Sequence, residues 1–286
     1  MKSAFYGLVF SLGWLNAPAA FGQELVIAAP ARLDSREPNE WGDAGDVMWR
    51  NNVYEALVGV DNNLNLVPAL AVSWEYNGVG LLLRLRECRF TNGDALSSAD
   101  VAASLRHAQD QGSFPGLRID VVDDHTIQVI AENDQTPLAA WLIYLPVIPR
   151  SWVDGDRGAS PPGTGAYRLM DIQQDYRAIF ERNTDWWGWT ETEMTGTAER
   201  ITLVNVRDKS VQVNSLSSGQ ADLLWAWTEG YADKGDETMQ FVERLAGERI
   251  PAILAPGGIF AGRPGRVQSV QFDWYGIKWA HVRTSN

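Results

Sequence analysis

Along residues 54–105 the pattern of apolar and polar positions changes character four times. An apolar run, Tyr54-Glu55-Ala56-Leu57-Val58-Gly59-Val60, ends in the turn residues Asp61-Asn62-Asn63. Val67-Pro68-Ala69-Leu70-Ala71-Val72-Ser73-Trp74-Glu75 then precedes Leu83-Arg84-Leu85-Arg86, whose alternation predicts a strand with one buried and one wet face. Phe90-Thr91-Asn92-Gly93-Asp94 predicts a tight turn, because Asn-Gly tolerates positive φ. Ser97-Ser98-Ala99-Asp100 predicts a capping box that opens a helix carrying Val101, Leu105 and Ala108 on one face.

The flanking chain alternates strands with helices. Leu25-Val26-Ile27-Ala28-Ala29 is a continuous apolar run of the kind a buried parallel strand shows, stopped by Pro30. A helix follows over residues 47–57, with Val53 and Leu57 one turn apart. Residues 121–129 predict a turn feeding an alternating strand, and Thr136-Pro137 caps a helix carrying Leu138, Trp141, Leu142 and Leu145. Tyr167 and Leu169 open a strand that pairs with residues 176–180 across the turn Gln173-Gln174-Asp175. Residues 201–206, a helix capped by Asp208 and ended near Gly219, and Asp222-Leu223-Leu224 make a strand–helix–strand unit. Residues 238–246 read as one helix closed by Gly247, and Gly257-Gly258-Ile259-Phe260-Ala261-Gly262-Arg263-Pro264 as a turn between strands.

Several segments resemble one family. The run from Tyr54 to Leu105 resembles the signature region of family 5 extracytoplasmic solute-binding proteins, the oligopeptide-, dipeptide- and nickel-binding components of ABC importers. Relatives usually carry Asp-Gly where this chain has Asn92-Gly93, a change the turn accepts. Pro161-Pro162-Gly163-Thr164-Gly165-Ala166-Tyr167 resembles the family's Gly-Thr-Gly-Pro-Tyr segment, with Ala166 in the proline position. Val122-Asp123-Asp124-His125-Thr126 is similar to a family hairpin, and Leu145-Pro146-Val147-Ile148-Pro149-Arg150 to its return to the main lobe. Asn183-Thr184-Asp185-Trp186-Trp187-Gly188-Trp189 resembles an Asn-Pro-x-Tyr-Trp-Gly loop; its indoles suit either an aromatic wall for a ligand or, as in relatives, structural packing. The unit ending at Asp222 resembles the element that completes the main sheet, and residues 250–255 and 267–272 the C-terminal return strands.

The resemblance implies an α/β, periplasmic-binding-protein-like (type II) first lobe with a small subdomain, the second lobe missing. On that reading residues 1–22 are a signal peptide, 23–56 and 150–228 the main lobe and 57–149 the small subdomain. Residues 229–249 form a short bridge replacing the second lobe, and 250–286 return to the first. Lys2, the apolar core from Ala4 to Leu15 and the Ala20-Phe21-Gly22 site suit a cleavable secretory leader. The apolar run is too short to span a bilayer.

Composition narrows the chemistry. With 45% hydrophobic residues the chain can bury one or two cores. Net charge of −12 opposes nucleic-acid binding, since a polyanion would be repelled. The single cysteine, Cys88, excludes an internal disulfide and a cysteine-based zinc cluster, and reads as a packed small hydrophobe. No cysteine stands at the leader junction, so the expectation is a periplasmic protein without a lipid anchor. His107, His125 and His281 lack metal-ligand spacing, and there is no Gly-x-Ser-x-Gly elbow. Residues 163–168 lack the third glycine of a dinucleotide fingerprint, and residues 257–264 the lysine and hydroxyl of a phosphate loop. No catalytic residue, metal or cofactor is expected.

In open α/β sheets ligands gather outside the carboxyl ends of the strands. Arg32, Asp34, Thr164, Trp225 and Trp227 are the ligand contacts predicted from such positions. The resemblance implies a periplasmic substrate-binding protein that delivers short peptides or similar polar solutes to an inner-membrane ABC permease. The alternative, from a different class, is a protein-interaction module, or a decayed remnant, in which a partner or a second copy completes the cleft.

Overall fold

The computed structural model describes residues 23–33, 37–40, 44–61, 64–133, 137–155, 160–191, 198–226, 252–255, 258–262, 272–273 and 276–277. The predicted leader 1–22, the predicted bridge 229–249 with its helix 238–246, and the predicted cap residue Thr136 lie outside them. In chain order the first elements are β1 (Gln23–Ala29), α1 (Ala44–Val53), β2 (Val58–Val60), β3 (Leu66–Pro68), β4 (Ala71–Tyr76) and β5 (Leu81–Leu85). There follow α2 (Ser98–Asp110), β6 (Leu117–Asp123), β7 (Thr126–Ala131), α3 (Leu138–Trp141) and α4 (Arg150–Val153). The last are β8 (Tyr167–Gln173), β9 (Arg177–Arg182), α5 (Gly188–Glu191), β10 (Ala198–Asn205), α6 (Lys209–Ser217), β11 (Leu223–Ala226), β12 (Ala252–Ala255) and β13 (Gly258–Gly262).

The principal sheet has the order β12-β13-β11-β1-β10-β9-β8. Its centre is parallel: β1 runs alongside both β10 and β11, while β9 and β13 lie antiparallel outside them. One face packs Leu25, Ile27, Phe180, Leu203 and Leu223 against Trp49 and Val53 of α1. Ala28 and Leu224 point to the opposite face and are buried too, on the side where Val213 and Leu216 of α6 are buried. Helices on both faces explain why β1 reads as an uninterrupted apolar run rather than an alternation.

A second core is built on the antiparallel sheet β4-β5-β7-β6. Leu81, Leu83 and Leu85 of β5 and Ile127 and Val129 of β7 meet Val101, Leu105 and Ala108 of α2, as the helical spacing predicts. The Asp100 carboxylate accepts from the Ser97 amide at 2.8 Å and hydroxyl at 2.6 Å, and its other oxygen takes the Arg150 amide at 2.8 Å. The capping box thus also holds the start of α4. Gly93 has φ of 91° and donates its amide to the Phe90 carbonyl, forming the predicted turn.

Two expectations are corrected. Residues 258–262 are not a turn but strand β13, paired with both β11 and β12. The glycines at its ends masked the Ile259-Phe260-Ala261 run, which has strand character. The predicted helix 47–57 runs instead as Ala44–Val53, because the chain changes core just beyond it: Val53 packs in the first core and Leu57 in the second. The pair expected one turn apart on one face is therefore divided between two cores. Of the return strand 267–272, only Phe272 lies among the described residues, paired as Phe272–Asp273 with Gly276–Ile277.

Candidate functional site

The parallel register brings the carboxyl ends of three strands to one edge. Ala29 is level with Asn205, and Ala28 with Leu224, so Trp225 stands beside the end of β1. Beyond β1 the chain passes to α1 on one face; beyond β10 it passes to α6 on the other. The crevice between β1 and β10 is thus a topological switch point, where α/β sheets place ligands.

Buried hydrogen bonds fix this edge. Gln212 of α6, only 1% exposed, donates Nε2 to the Val206 carbonyl at 2.7 Å and to the Trp225 carbonyl at 3.2 Å, straddling the end of β1. The Val206 amide reaches the Ala29 carbonyl, and the Asp175 amide of the β8–β9 turn the Leu33 carbonyl. At the start of β11, the Asp222 amide donates to the Val26 carbonyl at 2.8 Å and its carboxylate accepts the Val26 amide at 3.1 Å. Asp208 caps α6 by accepting the Val211 amide at 2.9 Å. Gln212 was not foreseen; a long amide near a helix start gives no sequence signal until the strand ends it spans are known.

The five predicted contacts are not brought together. Arg32 is exposed between the buried anchors Ala31 and Leu33, so the loop holds it out at the carboxyl edge. Trp225 is at the same edge but 3% exposed, packed in the first core beneath it. Asp34 and Trp227 lie outside the described residues. Thr164 is at the opposite edge: Tyr167 pairs with Arg182, and the Tyr167 hydroxyl donates to the carbonyl of Ala198, the first residue of β10. Six residues of strand at about 3.3 Å each separate the two levels, roughly 20 Å. The argument from strand ends therefore does not extend to Thr164, which precedes its strand. It is buried, 1% exposed, where Gly163 and Gly165 pass so close to α1 that a Cβ on either would overlap the Val53 or Asn52 carbonyl.

The three tryptophans of residues 186–189 form a joint between the cores. Trp186 and Trp187 both donate their indole N–H to Glu55, at 3.1 and 3.0 Å for the shortest contact of Trp187, and Trp189 donates to the Asn183 carbonyl at 2.6 Å. Arg86 lies over Trp187 with its guanidinium carbon 3.4 Å from the ring centroid, donating to the Ala69 carbonyl and to Glu191, both at 2.6 Å. This is packing rather than an open wall, and it is cation–π in part. Glu55 was also unforeseen, although an acid inside the run from Tyr54 to Val58 has to find donors on burial.

A cleft of about 390 Å³ lined by Glu87, Cys88, Arg89, Ala95, Leu96 and His125 lies on the second core, away from the strand edge. Burial, with the Glu55 charge adding to it, pushes the Cys88 thiol up to about 12, so it is a poor nucleophile at neutral pH. No group of three or more His, Cys, Asp or Glu side chains able to hold a metal occurs among the described residues. No helix among them is long and apolar enough to cross a membrane.

Comparison with known proteins gives this geometry a setting. The glutathione-binding protein GsiB of Pectobacterium atrosepticum is 23% identical over 232 residues, covering 73% of this chain and 43% of that protein. The periplasmic oligopeptide-binding protein OppA of Salmonella typhimurium is 22% identical over 237 residues, covering 71% and 43%. The chain spans less than half the length of these curated relatives. Among solved structures, DppA from Helicobacter pylori in complex with peptide STSA aligns with a TM-score of 0.66 at 22% identity, over 82% of this chain and 50% of that one. NikA from Brucella suis in complex with Fe(III)-EDTA aligns with 0.68 at 22%, over 81% and 48%. The fold is that of periplasmic binding proteins, matched over about half of each. The model of the bacterial extracellular solute-binding proteins, family 5 Middle, matches residues 65–259, which run from β3 into β13 and leave out β1 and α1 of the first core, and the chain belongs to this family of binding proteins, which are not enzymes.

Proposed function

We propose that the chain acts as a periplasmic substrate-binding component of a peptide-type ABC importer, taking short peptides or similar polar solutes at the carboxyl edge of β1, β10 and β11. Membership of the family, together with a switch-point crevice braced by Gln212, supports this reading. The relatives' named ligands, oligopeptide and glutathione, are consistent with a peptide-like solute. Arg32, held out beside the crevice, contacts the ligand; Asp34 and Trp227 flank it in sequence. Trp225 forms the packed floor. The protein reaches the periplasm by a cleavable leader and delivers its ligand to an inner-membrane permease.

The testing experiment is a thermal shift of the protein against di- to octapeptides, glutathione, nickel chelates and simple sugars. A ligand that binds only the folded state stabilises it by about 2.7 kcal/mol at one hundred times Kd. The expected result is a reproducible rise in Tm with peptides or glutathione, reduced by Arg32→Ala. A cooperative melt that no compound moves would overturn the proposal.

A further inference from the structure

Among the described residues the second core ends in a sheet edge that no strand covers, and its residues complement themselves. β6 is the outer strand of β4-β5-β7-β6. Its first carbonyl, that of Leu117, accepts from Gln109 of α2 at 2.7 Å, but from Arg118 to Val121 no backbone partner beyond β7 occurs among the described residues. This stretch has no proline, glycine or lysine, and its one irregularity lies between Val121 and Asp123. The outer strand β8 of the principal sheet differs, with an irregularity in mid-strand between Leu169 and Asp171. Free edges are normally blunted by such devices, because open N–H and C=O groups invite another strand.

The side chains of β6 read apolar, positive, apolar, negative, apolar: Leu117, Arg118, Ile119, Asp120, Val121. Leu117, Ile119 and Val121 are on the side facing α2, and Arg118 and Asp120 on the other, where they form an exposed ion pair at 3.0 Å. Val121 and the following Val122 are 51% and 59% exposed, unusual for consecutive β-branched residues on a strand. We propose that this edge pairs antiparallel with β6 of a second copy about a two-fold axis through Ile119. In that register Arg118 faces Asp120 of the second copy and Asp120 faces its Arg118; Ile119 meets Ile119, and Val121 meets Leu117. Directly opposed opposite charges and β-branched pairs both favour such a ladder. Sliding by two residues opposes Asp120 to Asp120 in one direction and Arg118 to Arg118 in the other, so the charges select one register. One strand pair buries less than the roughly 1,200 Å² of a standard interface, so the dimer is weak and concentration-dependent.

Sedimentation equilibrium of the full chain from about 10 µM to about 1 mM tests this. The wild type shifts from monomer to dimer across the range. Arg118→Asp, which opposes two carboxylates on each side of the axis, stays monomeric, and Arg118→Asp with Asp120→Arg restores the dimer. Val121→Lys also stays monomeric. All these positions are exposed, so circular dichroism and Tm remain those of the wild type. In the wild type, amide exchange from Arg118 to Val121 slows as concentration rises. A wild type monomeric at every concentration, an Arg118→Asp variant that dimerises as well as the wild type, or a double variant that fails to recover would each overturn the proposal.

Discussion

The core of the principal sheet is closed by strands distant in the chain, with Val26 bonded to Asp222 across 196 positions, whereas all four strands of the second sheet lie within residues 71–131. The materials differ too. The first core is aromatic, with Trp49, Tyr54, Tyr167, Phe180, Trp186 and Trp225 buried; the second is chiefly aliphatic, led by leucine. Local closure costs little chain entropy, so the second core can order early, while the parallel centre of the first must wait for its last strand. Large rigid rings suit a sheet assembled late, because each fills much volume with few rotatable bonds.

The sharpest way to break the contrast is Gly165→Val. Its side chain would enter the space of the Asn52 carbonyl, destabilising the first core by about 4 kcal/mol, read as a lower urea midpoint by circular dichroism. Next is Leu83→Ala, which leaves a cavity among Leu81, Leu105 and Ile127 and costs about 3 kcal/mol. If the second core supports the first, this variant also lowers the midpoint seen by tryptophan fluorescence; an unchanged fluorescence midpoint would mean independent units. Arg86→Ala acts on the joint. It leaves the Ala69 carbonyl without its guanidinium donor and uncovers Trp187, costing about 2 kcal/mol. The expected outcome is a wider separation between the fluorescence and circular dichroism transitions than in the wild type; an unchanged separation would mean that the joint does not couple the cores.

The smallest effect concerns pH. Hydrogen bonds from Arg200 and then Arg168 hold the Glu181 carboxyl below its ordinary range. A folded-state value below the unfolded one contributes stability above the unfolded value and loses it as pH falls through the folded value. The Tm difference between wild type and Glu181→Gln is therefore expected to be greatest near neutrality and to close below about pH 4. A difference independent of pH would dissociate the effect from the charge.

Much of this architecture was legible because local chemistry dictates it. The Asn92-Gly93 turn, the Ser97-Asp100 box, the Asp208 cap and the β6–β7 hairpin need only neighbours in sequence. The candidate site was legible only in part. Arg32 follows β1 and Trp225 lies near the end of β11, strands whose parallel direction the strand–helix–strand pattern implies. Thr164 falls at the opposite edge because it precedes β8, which runs in the same direction as β1 and β10 only by way of its pairing with β9, and Gly-Thr-Gly does not encode that direction. Glu55 and Gln212 act across the fold, so their partners are invisible along the chain. Gly258–Gly262 was misread because terminal glycines outweighed a short apolar interior.

The amide of Val147 donates to the carbonyl of Glu55 at 2.9 Å, just where the chain enters the second core after Glu55 and leaves it before Ile148. Entrance and exit are thus adjacent, like the two sides of one doorway. A segment attached this way behaves as a cassette: with its two ends side by side, the stretch between residues 57 and 146 tolerates shortening or exchange wherever it does not itself reach the lobe, as Arg86, Asp100 and Ser104 do. Seen so, the second core is cargo lashed to the lobe at this doorway and at Arg86, Asp100 and Ser104, and none of these ties falls on the edge where β1, β10 and β11 end.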